Sequence, residues 1–459
     1  MQTLSHYQEE TVSSVPVTAP TIIFGLGETG FSCARFLAAR GMDFAMIDTR
    51  DEPSGLSRCV DTFPGVTIET GVRAPDRIGL CREILLSPGV AREHPVVVGA
   101  LARGVSVIGD VELFSRYAAA PILAVTGSNG KSTVVTMVSR ILASAGLDVR
   151  TGGNIGTPAL DLLADSPPDC YVLELSSFQL ESIQTFAPTV ACILNVSSDH
   201  MDRYGSFADY LAAKLRVADR AETVVVNADD LTLAKAGFAA EVRGVSLDTT
   251  LNTPYTVERA DGNDWLVAGG ERIMTTDELG VRGKHNVLNA LAAIAISDSM
   301  SVARDAQRTG LARFSGLPHR CESVACDRTI EWINDSKGTN VGATCTAIAS
   351  VFSGRSGVLI AGGQGKGADF APLADALAGH VHHVVLFGED AGLLGAALEH
   401  SVSVQFAVDL PAAVTCAHAL ALEGDAVLFS PACASFDMFD NFSVRGDAFT
   451  AAVSGVLGR

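Results

Sequence analysis

Basic residues are scarce in this chain: 33 lysines and arginines stand against 52 aspartates and glutamates, a formal net charge of -19. So acidic a chain is a poor non-specific binder of phosphate backbones, which argues against a nucleic-acid partner, although local Lys and Arg can still hold a nucleotide in a cleft. No apolar run reaches the roughly 18 residues that span a bilayer. The first twenty residues carry no basic segment followed by an apolar one, so no membrane partner and a cytoplasmic location are expected. Ten cysteines lie scattered from Cys33 to Cys433 with no CxxC pair, and Cys321 and Cys326 are too isolated for a zinc site, which predicts reduced, mostly buried thiols. Charged residues make up only 19% of the chain and hydrophobic ones 47%, which excludes general disorder. There is no internal repeat and no low-complexity tract.

What the chain does have is length and alternation. At 459 residues it exceeds one typical core and suggests about three domains. Short apolar runs alternate with amphipathic, Ala-rich stretches, the pattern of parallel strands joined by crossover helices, so the fold class is α/β. Strands are predicted at 21–24, 44–47, 83–86 and 105–108, with a helix from about Thr29 to Arg40. A second series follows at 121–125, 171–175, 190–194 and 223–226, and a third at 329–333, 357–360, 383–387 and 426–429. Between about Leu247 and Leu279 the alternation gives way to short β-type stretches, before a helix over 286–297. The expected domains are 1–110, 111–316 and 317–459: Rossmann-like, then a central P-loop type with a mostly parallel sheet, then Rossmann-like again.

The sharpest motif runs from Thr126 to Thr133, TGSNGKST, between a predicted strand and a predicted helix. A glycine-rich turn there, through Gly127, Ser128, Asn129 and Gly130, leaves backbone N–H groups aimed outward at a helix N-terminus, where anions are favoured. Lys131 would neutralise β- and γ-phosphates, and Ser132 or Thr133 would offer a hydroxyl to Mg²⁺. The longer GxxxxGK[ST] pattern wants glycine where this chain has Val125, so the match is to a shorter form. A chance turn capping a helix is the competing account, and the lysine, hydroxyls and flanking elements weigh against it.

Other candidates cluster after strands. Glu174 sits near the carboxyl end of a strand, where α/β sheets place ligands and a carboxylate can hold Mg²⁺. The loop NVSSDHMDRY offers Asp199, His200 and Asp202, any one of which could equally be structural. Ser206 reads as the N-cap of a helix with an apolar stripe through Phe207, Leu211 and Ala218, and Lys214 falls on that stripe. Either Lys214 snorkels to solvent, or burial lowers its pKa until the neutral amine can take up CO₂ as a metal-binding carbamate. Near the start, Gly25, Gly27 and Gly30 form GxGxxG after a strand, with Asp48 ending the next. That outline fits a dehydrogenase, any nucleoside diphosphate site, or simple tight packing.

Taken together, the ordered motifs resemble the Mur ligases, and within them the D-glutamate-adding branch. They are GLGETG at 25–30, SPG at 87–89, TGSNGKST, GGNIG at 152–156, ELSSFQLE at 174–181 and LNVSSDHMDRY at 194–204. They continue with AAKLR at 212–216, GKHNVLNALAA at 283–293, LPHRCE at 317–322, NDSKGTN at 334–340, AGGQGKGADF at 361–370 and SPACASFDMFDNF at 430–442. The resemblance spans nearly the whole chain. It implies an ATP-dependent carboxylate-amine ligase of cytoplasmic peptidoglycan precursor synthesis that phosphorylates a substrate carboxylate and then lets an amine attack the acyl phosphate. The first domain would bind UDP-N-acetylmuramoyl-L-alanine, the second ATP and Mg²⁺, and the third D-glutamate, in a monomer.

By the same resemblance, Lys131 grips the β- and γ-phosphates, Ser132 and Glu174 hold one Mg²⁺, and His200 with a carbamylated Lys214 serves a second. Asn289 contacts adenine, and Arg320 and Asp335 the phosphates and ribose. Gly27, Thr29, Gly30, Asp48 and Thr49, with Ser87 and Gly89, form the UDP side of the substrate site. Asn154, Ser176 and His200 meet the muramoyl side. Thr339, Lys366, Ser435 and Phe442 match the D-glutamate pocket, with Phe436 beside it. Two positions depart from the family's pattern: Glu28 lies inside the uridine-side glycine turn, where its charge could repel a diphosphate unless it points away, and Phe436 replaces a smaller aliphatic residue. The nearest alternative is another amino-acid-adding ligase, including a folylpolyglutamate-type one. A nicotinamide-dependent oxidoreductase and a nucleotide-binding module without chemistry are the others.

Overall fold

The computed structural model describes residues 18–327 and 329–458; most of the leader read above for a signal lies outside them. Contact density divides the chain into two compact units, one formed by the described part of Met1–Ala120 with Gly152–Pro167 and Leu175–Ala187, the other by Pro121–Thr151, Pro168–Glu174 and Pro188–Arg459.

The first unit carries a five-stranded sheet in the order Ile68–Glu69, Phe44–Ile47, Thr21–Phe24, Glu83–Leu86, Ser106–Ile108, with every pairing parallel. Three of its strands begin and end where the apolar runs do. The half-buried strand at Ile68–Glu69 is too short to leave a pattern in the sequence. Ile22, Phe24, Ala45, Ile47, Ile84 and Leu86 build the core with Val96, Val97 and Ala100 of the helix Pro95–Ala102. Burying each of the larger side chains among them is worth about 1.5–3 kcal/mol. The two inserted segments are held by polar contacts: Ser32 Oγ donates to Asp161 Oδ1 at 2.9 Å, and the carboxylate of Glu112 accepts from the N–H groups of Gln184, Thr185 and Phe186.

The second unit contains two sheets. Its nine-stranded sheet runs Glu271–Thr275, Asn263–Ala268, Tyr255–Ala260, Glu241–Val245, Thr223–Asn227, Val190–Ile193, Ile122–Thr126, Cys170–Glu174, Val149–Gly153. The first three form an antiparallel ribbon, which accounts for the short β-type stretches between Leu247 and Leu279. Two helices seal one core. Lys131–Ser144 buries Val134, Val135, Met137, Val138, Ile141 and Leu142, while Lys284–Ser297 is buried continuously from Asn289 onward. The six-stranded sheet runs Glu322–Asp327, Ile330–Asn334, Ala426–Phe429, Gly357–Gly362, Val381–Phe387, Ser403–Phe406, antiparallel only at its first pair. Apolar residues on both its faces are covered, which is why its four inner strands read as continuous rather than alternating runs, while the edge strands Glu322–Asp327 and Ser403–Phe406 stay more exposed.

One helix departs from its expected pattern. Ser206 caps it by accepting from Asp209 N–H, but the helix ends at Leu215 and tightens into a short turn over Arg216–Ala218. The side chains that face inward are Tyr210, Ala213, Lys214, Val217 and Ala218, so the expected stripe holds at Lys214 and Ala218, while Phe207 and Leu211 are only half-buried. All ten cysteines are free thiols, and among the described residues no helix is long and apolar enough to cross a membrane.

Candidate functional site

The strand Ile122–Thr126 delivers the phosphate loop to the carboxyl edge of its sheet, and the helix Lys131–Ser144 begins at Lys131. Gly130 has φ +84°, which favours glycine, and a Cβ there would lie 2.8 Å from Asn289 Oδ1 and so would displace that amide. The loop is pinned to the segment after Val190–Ile193. Ser128 N–H donates to Asn195 O at 2.9 Å, Asn129 N–H to Asn195 Oδ1 at 2.8 Å, and Ser128 Oγ to Ser197 O at 2.9 Å. With so many of its own partners the loop is organised before any ligand arrives.

Charged groups converge at its end. Lys131 Nζ donates to the carbonyls of Gly127 and Ser128 at 2.8 and 2.9 Å. Burial pushes its pKa down, and Glu174 and Asp199 pull it back up. Glu174, the last residue of its strand, is 3% exposed and accepts from Ser132 Oγ at 2.5 Å, while Arg320 Nη2 donates to the same Ser132 oxygen at 2.6 Å. A buried carboxylate beside a hydroxyl at the head of a phosphate loop is a hard-oxygen donor set that fits Mg²⁺. Lys214 is 2% exposed, so it does not snorkel; its Nζ donates to Gly127 O at 2.9 Å and lies 4.6 Å from the Tyr210 ring centre. Burial, then the neighbouring Lys131, holds its pKa well below that of an ordinary lysine. His200 has φ +58° and a pKa pushed down to about 4, chiefly by burial, so its imidazole is neutral at physiological pH.

Beside the loop lies a cleft of about 370 Å³ lined by Asn129, Gly130 and Thr133 on one side and by Asn289, Arg320 and Asp335 on another. These are residues the sequence assigned to ATP. Asp335 accepts from Ser430 Oγ at 2.7 Å and from Cys321 N–H at 3.2 Å, and burial raises its pKa to about 6. The same cleft is lined by Lys337, to which the sequence reading gave no role. Its Nζ sits 4.1 Å from the Phe442 ring centre, and burial followed by Arg320 and Lys131 lowers its pKa to about 8. The motif NDSKGTN contains it, but nothing in the local pattern sets it apart from Asp335 and Thr339.

The residues expected to hold D-glutamate fall into two groups. Lys366, with φ +55°, donates to Asp199 Oδ1 at 2.7 Å, and Asn340 Nδ2 donates to Asp199 Oδ2 at 2.9 Å. Asp199 thus gathers a lysine and an amide that come from far along the chain. Ser435 is buried and Phe442 opens the helix Phe442–Val456, whereas Phe436 is 71% exposed and leaves its ring in solvent. Arg445, fully buried, went unnoticed in the sequence. Its guanidinium donates to the carbonyls of Cys433, Ala434 and Ser336, which fixes the loop that carries Ser435. No motif spacing marks it, because its partners are backbone atoms.

In the first unit, Asp48 is committed internally. It accepts from Leu26 N–H at 2.9 Å inside the glycine turn and from the guanidinium of Arg50. Gly30 packs so closely that a Cβ would lie 1.8 Å from Gly25 O, while Gly27 has open space before it. Glu28 pairs with Arg58, which balances the charge that its place in the turn introduced. Ser87 Oγ donates to Gly25 O at 3.3 Å. Ser176 caps the short helix Ser177–Leu180 in a reciprocal box with Gln179.

Three family descriptions match this chain in order: Mur ligase MurD-like, N-terminal domain over residues 19–109; Mur ligase middle domain over 125–297; and Mur ligase, glutamate ligase domain over 319–433. A protein from Nitrosococcus oceani named UDP-N-acetylmuramoylalanine--D-glutamate ligase is 45% identical over 445 residues, covering 96% of this chain and 98% of that one. Its namesake from Pseudomonas aeruginosa is 45% identical over 435 residues, covering 94% and 97%. Among solved structures, a UDP-N-acetylmuramate-alanine ligase from Thermotoga maritima has a TM-score of 0.59 at 20% identity, covering 95% of this chain and all of that one. A MurF ligase from Thermotoga maritima in complex with ADP has a TM-score of 0.60 at 17% identity, with 95% of each chain covered. The two solved structures share the fold.

Proposed function

The chain belongs to the Mur ligase family, and from that premise we infer that it is the ATP-dependent ligase joining D-glutamate to UDP-N-acetylmuramoyl-L-alanine in peptidoglycan precursor synthesis. The observation that carries this reading is Glu174, Ser132 and Arg320 meeting at the head of a phosphate loop whose cleft is also lined by Asp335 and Lys337. That arrangement offers cations to a triphosphate from two directions.

Functionally, we assign residues 1–110 to the UDP substrate, 111–316 to ATP, and 317–459 to the amino acid. Lys131 leaves the loop carbonyls to pair with β- and γ-phosphate oxygens, and Arg320 and Lys337 face the same phosphates from the glutamate ligase domain. Asn289 meets the adenine and Asp335 the ribose. Ser132 and Glu174 would hold Mg²⁺, which when bound neutralises charge between phosphate and carboxylate. A second ion would take His200 and Lys214, the latter as a carbamate. Its depressed pKa supports that, since only the neutral amine adds CO₂, losing a proton as the N–C bond forms.

The substrate carboxylate attacks the γ-phosphorus, ADP leaves, and an acyl phosphate forms. The amine of D-glutamate then adds to the acyl carbon, the tetrahedral intermediate collapses with loss of phosphate, and the amine proton goes to solvent. Positioning and charge neutralisation carry both steps. Lys366 pairs one carboxylate of D-glutamate in exchange for Asp199, and Thr339, Ser435 and the N-terminus at Phe442 hold the other. The UDP moiety lies against the turn at Gly27, Thr29 and Gly30, with Thr49, Ser87 and Gly89 around it, and Asp48 acts by fixing that turn. Asn154 and Ser176 meet the muramoyl side. The enzyme works as a cytoplasmic monomer, where its nucleotide-linked substrates are made.

An acceptor panel tests this reading. Phosphate release from ATP with UDP-N-acetylmuramoyl-L-alanine should require D-glutamate. Equal rates with L-alanine or L-lysine would overturn it.

A further inference from the structure

Asp110 begins the short helix Asp110–Ser115 after the last strand of the first unit's sheet and is 3% exposed. Its Oδ2 accepts from Gln179 Nε2 at 3.3 Å, while Oδ1 is enclosed without a well-formed hydrogen bond among the described residues, and only the N–H groups of Asp110 and Val111 at the helix start favour the charge besides Gln179. A buried carboxylate oxygen left unpaired is costly, so the fold's retention of a carboxylate here calls for a reason. The reason lies in what Gln179 does with its other end. Its Oε1 accepts from both the N–H and the Oγ–H of Ser176 at 3.2 Å, and its own backbone N–H donates to Ser176 Oγ at 3.3 Å. An amide can sit in its pocket either way round. A carboxylate oxygen only accepts and the Ser176 N–H only donates, so Asp110 at one end and that N–H at the other together hold the nitrogen toward Asp110 and the carbonyl toward Ser176. The hydroxyl proton of Ser176 is then committed to Gln179, and Ser176, partly exposed, has one oxygen lone pair left over.

We propose that Asp110 is a positioning residue for the muramoyl substrate: through Gln179 it sets the Ser176 hydroxyl as a hydrogen-bond acceptor for an N–H or O–H of that substrate. This rests on Ser176 lying in the muramoyl site, as assigned above. The relay is robust to pH. Burial raises the Asp110 pKa to about 6, and a proton arriving there goes to the unpaired Oδ1, since Oδ2 faces an N–H; Oδ2 accepts in either state.

The test reverses donor and acceptor. Ser176→Ala should raise KM for UDP-N-acetylmuramoyl-L-alanine roughly tenfold, the loss of one hydrogen bond, with KM for ATP unmoved. Asp110→Leu should do likewise. Gln179→Glu sets two carboxylates face to face, and the comparison is made above the pH at which they share a proton, where it should raise the same KM at least as far. In the double variant Asp110→Asn with Gln179→Glu, the new amide donates to the new carboxylate, whose other oxygen still accepts from Ser176, so most of the loss should be recovered. Thermal melts of each variant check folding. A double variant no better than Gln179→Glu would overturn the relay even if Ser176→Ala behaves as expected. An unchanged KM in Ser176→Ala would instead remove the assignment beneath it, and the relay with it.

Discussion

Lys214 Nζ donates to the carbonyl oxygen of Gly127 at 2.9 Å, which ties a buried amine to the first glycine of the phosphate loop. The lysine comes from a helix whose predicted stripe is buried at Lys214 and Ala218 and half-buried at Phe207 and Leu211. The charges that act on it most are Lys131, Asp199 and Glu174, the groups that any bound phosphate and metal would share.

Lys214→Ala should therefore lose activity on the order of 10²-fold, the scale of a misplaced reacting group. Added short carboxylates such as acetate or formate should restore part of it by standing in for the carbamate. Turnover measured with and without these additives decides the matter, and an unaltered rate in the variant removes Lys214 from the mechanism.

Lys131→Ala should lower kcat on the order of 10³-fold, because the ammonium is the loop's own cation for the developing phosphate charge. Among the described residues that ammonium donates its hydrogen bonds to loop carbonyls, so folding should be preserved. Circular dichroism and a thermal melt beside the rate measurement separate the two effects.

Lys337 gives a pH signature. With a pKa near 8 it is a cation below that value and neutral above it, so kcat/KM for ATP should fall as pH rises through about 8. Lys337→Arg, charged throughout, should shift that descent upward. Stability moves the other way: between about 8 and the unfolded lysine's value of about 10.4 the unfolded chain binds more protons, so wild-type stability attributable to this residue rises with pH.

Glu112 is a structural test case. Burial pushes its pKa up, but the hydroxyl of Thr185 and three N–H groups outweigh that and hold it below an ordinary glutamate. Glu112→Ala leaves buried donors without an acceptor and should cost about 3 kcal/mol in urea unfolding. Because the folded pKa is the lower one, the stabilisation is fully present above about pH 4.3 and lost as pH falls through the folded value. The gap between wild type and variant should close in acid.

Much of this molecule is written in local sequence. The strands at Thr21–Phe24, Phe44–Ile47, Glu83–Leu86 and Ala426–Phe429 stand where continuous apolar runs predict them, because a strand covered on both faces has no polar side to interrupt it. The phosphate loop from Thr126 to Thr133 was legible too, since glycines that need positive φ and a lysine at a helix start are properties of neighbours in the chain. The edge strand at Ile68–Glu69 was not, being two residues long. Lys337 and Arg445 escaped for a different reason: one owes its low pKa to Arg320 and Lys131, the other its place to backbone carbonyls that carry no side-chain signal. Tertiary structure alone made Asp199 the partner of Lys366 and Asn340, gave Asp110 its hold on Gln179, and gathered residues 152–167 and 175–187 into the first unit. Sequence determines what a residue can donate, accept or bury; which distant atoms meet it, and therefore which charge it feels, is decided only when the strands pair and the loops between them close.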